Sequence, residues 1–111
     1  MSTLSTHVLD TMHGRPAEGM AVTLSGPGGQ IARGITDRDG RCPGLAPAEL
    51  APGRYSIRFA VADYFRSLAV ALPDPPFIDE VTVDFGIAAN GGHYHVPLLV
   101  SPYAYSTYRG S

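Results

Sequence analysis

His93 and His95 stand two residues apart near the end of the chain, and His7 stands near its start. Side chains on a strand alternate faces, so His93 and His95 point one way with Pro97 and Leu99. Tyr94, Val96, Leu98 and Val100 point the other way and read as core. His7 leaves the phase of Thr6 and Val8 in the same manner, together with Ser5 and Leu9. Imidazole changes charge near neutral pH, so it can take a proton from water and return one to a leaving nitrogen. Arg41 follows an Asp39-Gly40 turn that can aim a side chain sharply. A guanidinium fork binds a planar carbonyl edge in bidentate fashion and steadies charge developing on oxygen. Ser101, Tyr108, Arg109 and the terminal carboxylate of Ser111 complete the polar set, with Tyr108 able to close a pocket.

These residue types admit three readings. One is acid–base hydrolysis without a metal. Another is a zinc site, since His-x-His on a strand plus a third His can hold that ion. Against it, no thiol lies near, Asp10 is the one obvious supporting carboxylate, and Arg41 and Arg109 would repel a dication. The last is a carrier, in which Leu9, Pro97 and Leu99 form an interface between subunits and a ligand sits in the channel without reacting. Taken singly, each histidine is better read as a surface residue at a sheet edge. His13 sits in a turn and reads as solvated. Ser101 reads first as a turn cap before Pro102.

A sheet must position these groups, and the dominant period is two. Leu4 to Leu9, Met20 to Ser25, Gln30 to Ile35, Tyr55 to Ala62, Val81 to Ile87 and His93 to Val100 all alternate, which predicts half-buried antiparallel strands. Gly26-Pro27-Gly28-Gly29, Asp37-Arg38-Asp39-Gly40 and Asn90-Gly91-Gly92 supply turns. One helical turn is expected at Pro47–Ala51, before Pro52-Gly53 stops it. Residues 63–77 fit no single element: 63–67 can continue a strand, and Pro73-Asp74-Pro75-Pro76 must be loop. Seven or eight strands in this length imply a single domain over residues 1–111, all-β, built as a two-sheet sandwich.

Bulk properties narrow the function further. The chain has 111 residues, 44% hydrophobic and 16% charged, which marks a globular domain. A formal net charge of −2 leaves no electrostatic footprint for nucleic acid or an anionic membrane. The single cysteine, Cys42, excludes a disulfide framework and a thiolate metal site, and reads as a small semi-buried residue. No basic segment followed by an apolar run opens the sequence, no apolar run approaches membrane-spanning length, and no Ser-Lys-Leu terminus is present, so a cytoplasmic location is expected.

Four segments together resemble the 5-hydroxyisourate hydrolase family, the transthyretin-related enzymes of urate breakdown. They are Leu4–Thr11 with Gly14-Arg15-Pro16-Ala17, Thr36–Arg41, Pro52–Tyr55, and the run His93–Ser111 with its Tyr108-Arg109-Gly110-Ser111 ending. Transthyretin is similar across Val100–Thr107 but lacks that ending and the His-x-His strand. The resemblance implies a transthyretin-like sandwich of two four-stranded sheets with one short helix. It implies a homotetramer, a dimer of dimers, with active sites at the dimer–dimer interface. The implied reaction opens the 5-hydroxyisourate ring to 2-oxo-4-hydroxy-4-carboxy-5-ureidoimidazoline without cofactor or metal. By position, His7, Arg41, His95 and Tyr108 take the catalytic places. His7, Arg41, Tyr108 and Ser111 take the substrate-binding ones, and His93 and Ser101 are expected to support them. A non-catalytic small-ligand carrier is the alternative that the resemblance leaves open.

Overall fold

Alternating apolar and polar residues build eight strands in a computed structural model that describes residues 2–110. The strands are β1 (Ser2–Asp10), β2 (Arg15–Pro16), β3 (Ala21–Gly26), β4 (Gly29–Ile35), β5 (Gly53–Phe59), β6 (Val81–Ile87), β7 (Gly92–Val100) and β8 (Tyr105–Thr107). A single helix, α1 (Val61–Ser67), follows β5. The strands form two four-stranded sheets, ordered β2-β1-β7-β8 and β4-β3-β5-β6. Their inner faces meet over Val8, Val22, Leu24, Ile57, Phe59, Val81, Leu98 and Val100, all fully or almost fully buried. This is the all-β sandwich of two four-stranded sheets with one short helix that the sequence led us to expect.

Three local expectations are corrected. The helix does not lie at Pro47–Ala51 but at Val61–Ser67. Its buried residues are Val61, Ala62, Tyr64 and Phe65, the spacing of one helical stripe. The two-residue period of β5 runs into Val61 without a break, which disguises the change of conformation after Phe59. The prolines and glycine flanking 48–51 instead leave Leu50 buried in an extended segment that exchanges backbone hydrogen bonds with Ser2. Strand β4, expected to be half-buried, is mostly exposed at the edge of its sheet, with Ile31 and Ile35 42% and 59% exposed.

The third correction positions the site. β1 and β7 pair in parallel, not antiparallel, over their full length from Ser2↔Gly92 to Asp10↔Val100. Only a short hairpin forces neighbouring strands to run antiparallel. These two come from opposite ends of the chain, and the whole second sheet lies between them in sequence, so their direction is free of that constraint.

Candidate active site

The parallel register sets Thr3 beside His93, Ser5 beside His95 and His7 beside Pro97. All five polar side chains therefore rise from the face turned away from the core. The Ser5 hydroxyl lies 2.7 Å from His95 Nδ1 and 2.9 Å from His93 Nε2, and Thr3 Oγ1 lies 2.6 Å from His93 Nδ1. One serine thus joins two imidazoles, and a threonine engages the outer one.

Arg41 arrives from the loop after β4. The Asp37 carboxylate accepts the N–H groups of Asp39 and Arg41 at 2.9 and 3.1 Å, which ties the turn to itself. Gly40 takes a left-handed φ of 76° and its carbonyl accepts the Val8 N–H at 2.8 Å. A Cβ at Gly40 would collide with the Val8 carbonyl, so only glycine lets the loop press this closely on β1. The result is a β-bridge between His7 and Arg41.

His95 is the electrostatic centre of the group. Burial first, then the Arg41 charge, then His7 and His93, hold its imidazole below the ordinary value of 6.5. At neutral pH it is unprotonated and can accept a proton. The returning C-terminal segment seats its ring: the Gly110 N–H donates to the His95 carbonyl at 2.8 Å, and a Cβ at Gly110 would strike the ring. Arg109 holds that segment down, with its guanidinium carbon 4.1 Å from the Tyr94 ring centroid and Nη2 donating to the His93 carbonyl.

His7, Arg41, His93 and His95 are thus brought together within one chain. Tyr108 stands 60% exposed between β8 and Gly110. Ser111 lies outside the described residues. Ser101 is engaged within its own turn: its hydroxyl accepts the Ala104 N–H at 3.2 Å, and its N–H donates to the Ala104 carbonyl. His13, expected to be solvated, instead bonds the fully buried Asp10 carboxylate at 2.6 Å, which Tyr64 Oη also meets at 2.7 Å. Burial works to raise the Asp10 carboxyl. Hydrogen bonds from Tyr64 and His13, with the His13 charge, outweigh it and hold the group below its ordinary value.

Ser5, Thr3 and Gly110 are the neighbours that sequence reasoning missed. Ser5 shares the phase of His7, which was a usable signal. Its partners became visible only with the parallel register. Among the described residues, no group of three or more His, Cys, Asp or Glu is arranged to hold a metal ion. A cleft of about 250 Å³ opens beside Ser5 and Arg41, bounded by Leu4, Pro43 and Leu45. A larger depression of about 910 Å³ lies on β5 and β6 around Arg54 and Asp84. It is lined by none of the residues gathered here, whereas the smaller cleft is lined by Ser5 and Arg41.

The HIUase/Transthyretin family model matches residues 4–110. A curated relative, 5-hydroxyisourate hydrolase of Pseudomonas aeruginosa, is 50% identical over 117 residues, covering 100% of this chain and 93% of its own. The solved 5-hydroxyisourate hydrolase of Klebsiella pneumoniae superposes with a TM-score of 0.88 at 38% identity, covering 100% of both chains. A solved (S)-allantoin synthase superposes with a TM-score of 0.91 at 42% identity; 99% of this chain is covered, and it spans 44% of that longer one. No helix among the described residues is long and apolar enough to cross a membrane.

Proposed function

The chain belongs to the HIUase/Transthyretin family, and from that footing we propose that it hydrolyses 5-hydroxyisourate. The observation that carries the mechanism is the gathering of His7, Arg41 and an uncharged His95 on the open face of the β1–β7 pair. His95 takes a proton from water as the oxygen attacks a ring carbonyl. Arg41 grips the carbonyl edge of the substrate and stabilises the negative charge that gathers on oxygen. The C–N bond breaks and His7 supplies the proton to the departing nitrogen. Ring opening leaves a carboxylic acid and an N–H, the functional groups of 2-oxo-4-hydroxy-4-carboxy-5-ureidoimidazoline. Every step uses side chains of the protein and water, with no cofactor.

The face bearing these groups is open, and four copies assembled as a dimer of dimers would cover it. Tyr108 and the Ser111 carboxylate would then shape the pocket, and two sets of site residues would meet across the dimer–dimer seam. The test is optical. Freshly generated 5-hydroxyisourate should lose its absorbance faster with the protein present, equally with and without a chelator. His95→Ala and Arg41→Ala should each slow that decay by about 10²–10⁴-fold. Reversible binding of an aromatic ligand with no turnover would instead favour a carrier.

A further inference from the structure

Strand β8 ends at Thr107, but its pairing with β7 resumes further on. Thr107 faces Leu98, and past Tyr108 and Arg109 the chain meets β7 again at Gly110↔His95, in the same register. This last bridge lies outside the strand and near the end of the chain, where backbone opens readily. The Gly110 N–H donates to the His95 carbonyl there at 2.8 Å. A hydrogen bond of this kind adds little net free energy, so the segment needs a further anchor to stay on the base.

Arg109 supplies that anchor. Its Cζ lies 4.1 Å from the centroid of the Tyr94 ring, and its Nη2 donates to the His93 carbonyl at 3.3 Å. Tyr94 stands between the two histidines in sequence and points the opposite way, into the core. Its hydroxyl accepts the Ala88 N–H at 3.0 Å, so packing and a hydrogen bond both fix the ring. A cation over a fixed aromatic face is attracted by the ring quadrupole, more strongly as water is excluded. Tyr94 adjoins His95 and Arg109 adjoins Gly110, so the anchor sits one residue from the bridge it supports.

From this geometry we infer that Arg109 is a positioning residue for the base: it latches the C-terminal segment onto β7 and thereby fixes the His95 ring. The inference rests on the hydrolase reading, in which His95 takes the proton from water. A Cβ at Gly110 would strike the His95 ring, so the segment's backbone bounds the space in which that ring can turn. With the segment lifted, the imidazole gains freedom and water gains access to it. Burial is the first cause that holds this imidazole below 6.5. Among the described residues, the charges that act on it are those of Arg41, His7 and His93. Arg109 therefore reaches the His95 proton through position alone.

The experiment compares Arg109→Gln and Arg109→Lys with wild type in the 5-hydroxyisourate decay assay, and follows the Gly110 amide by hydrogen exchange. Arg109→Gln keeps a donor for the His93 carbonyl but loses the cation. It should lower kcat at least about ten-fold with KM within about three-fold, because a misplaced base costs rate rather than binding. Arg109→Lys restores a cation over the ring and should recover part of the loss. The acidic limb of kcat/KM should move up toward 6.5 in Arg109→Gln, as His95 loses burial. The Gly110 amide should exchange at least about ten-fold faster in Arg109→Gln, and more slowly again in Arg109→Lys. Unchanged kcat or unchanged Gly110 exchange in Arg109→Gln would overturn the latch, as would equal losses in both variants. A rise in KM alone, with the limb unmoved, would make Arg109 a substrate contact and overturn it too. Wild type that fails to accelerate the decay would instead reject the hydrolase reading, and Gly110 exchange would still decide whether Arg109 holds the segment.

Discussion

Gly110 lies with its backbone against the His95 ring, and its missing side chain is what leaves room there. A methyl group would have to push the imidazole aside, and displacements near 1 Å cost about 10²-fold in rate. Gly110→Ala should therefore lose about that much kcat/KM while keeping the circular dichroism and melting temperature of wild type, because residue 110 belongs to no strand. A variant as active as wild type would show that the ring has space to yield. The His95 proton supplies a second check. Since burial and the Arg41 charge hold this imidazole down, kcat/KM should climb with pH through an acidic limb centred below 6.5. Arg41→Gln should move that limb upward, only in part, because burial is the larger cause. The side chains whose types announce chemistry were plain from sequence: alternation and a turn put His7, Arg41 and His95 in a wider polar set with His93, Ser101, Tyr108 and Arg109, and the family resemblance picked them out of it. Ser5 and Gly110 announce nothing by type, and their importance comes from what lies within reach in space.

At the scale of elements, the end of β1 is secured by a buried carboxylate. Asp10 is fully buried and receives hydrogen bonds from the His13 backbone, the His13 ring and Tyr64, so it ties the turn after β1 to helix α1. Its folded carboxyl lies below the unfolded value near 3.8. The stability this contributes is present above that unfolded value and is lost as pH falls through the folded one. Asp10→Asn should lower stability at neutral pH by about 1–3 kcal/mol, and the variant should lack this part of the acid-induced loss in chemical denaturation. Stability at pH 7 unchanged by the substitution would remove Asp10 from this role. Strand alternation and hairpin turns were readable because both are local patterns. Helix α1 was not, because Val61 continues the period of β5 while Tyr64 and Phe65 follow a helical stripe whose core lies elsewhere in the chain. Strands β2 and β8, of two and three residues, are too short to show a period.

For the whole molecule, exposed aromatic surface bears on assembly. Phe77 and Tyr103 are 74% and 60% exposed and lie 6.1 Å apart, and Tyr105 and Tyr108 are also more than half exposed. Apolar surface of this kind is commonly covered in an oligomer. Size-exclusion chromatography with light scattering should find a particle of four copies, and dilution to monomer should abolish hydrolysis if Tyr108 and Ser111 complete a neighbour's pocket. A fully active monomer would confine the site to one chain. The amino-acid order alone determined the sandwich class, the turn that aims Arg41, and the outward phase of the imidazoles, because each follows from periodicity or turn chemistry within a few residues. The direction of β1 against β7, the place of the helix, and the joining of His95 to Ser5 and Gly110 were decided by tertiary structure. They depend on which distant segments share one core, and contacts across some ninety positions leave no local pattern to read.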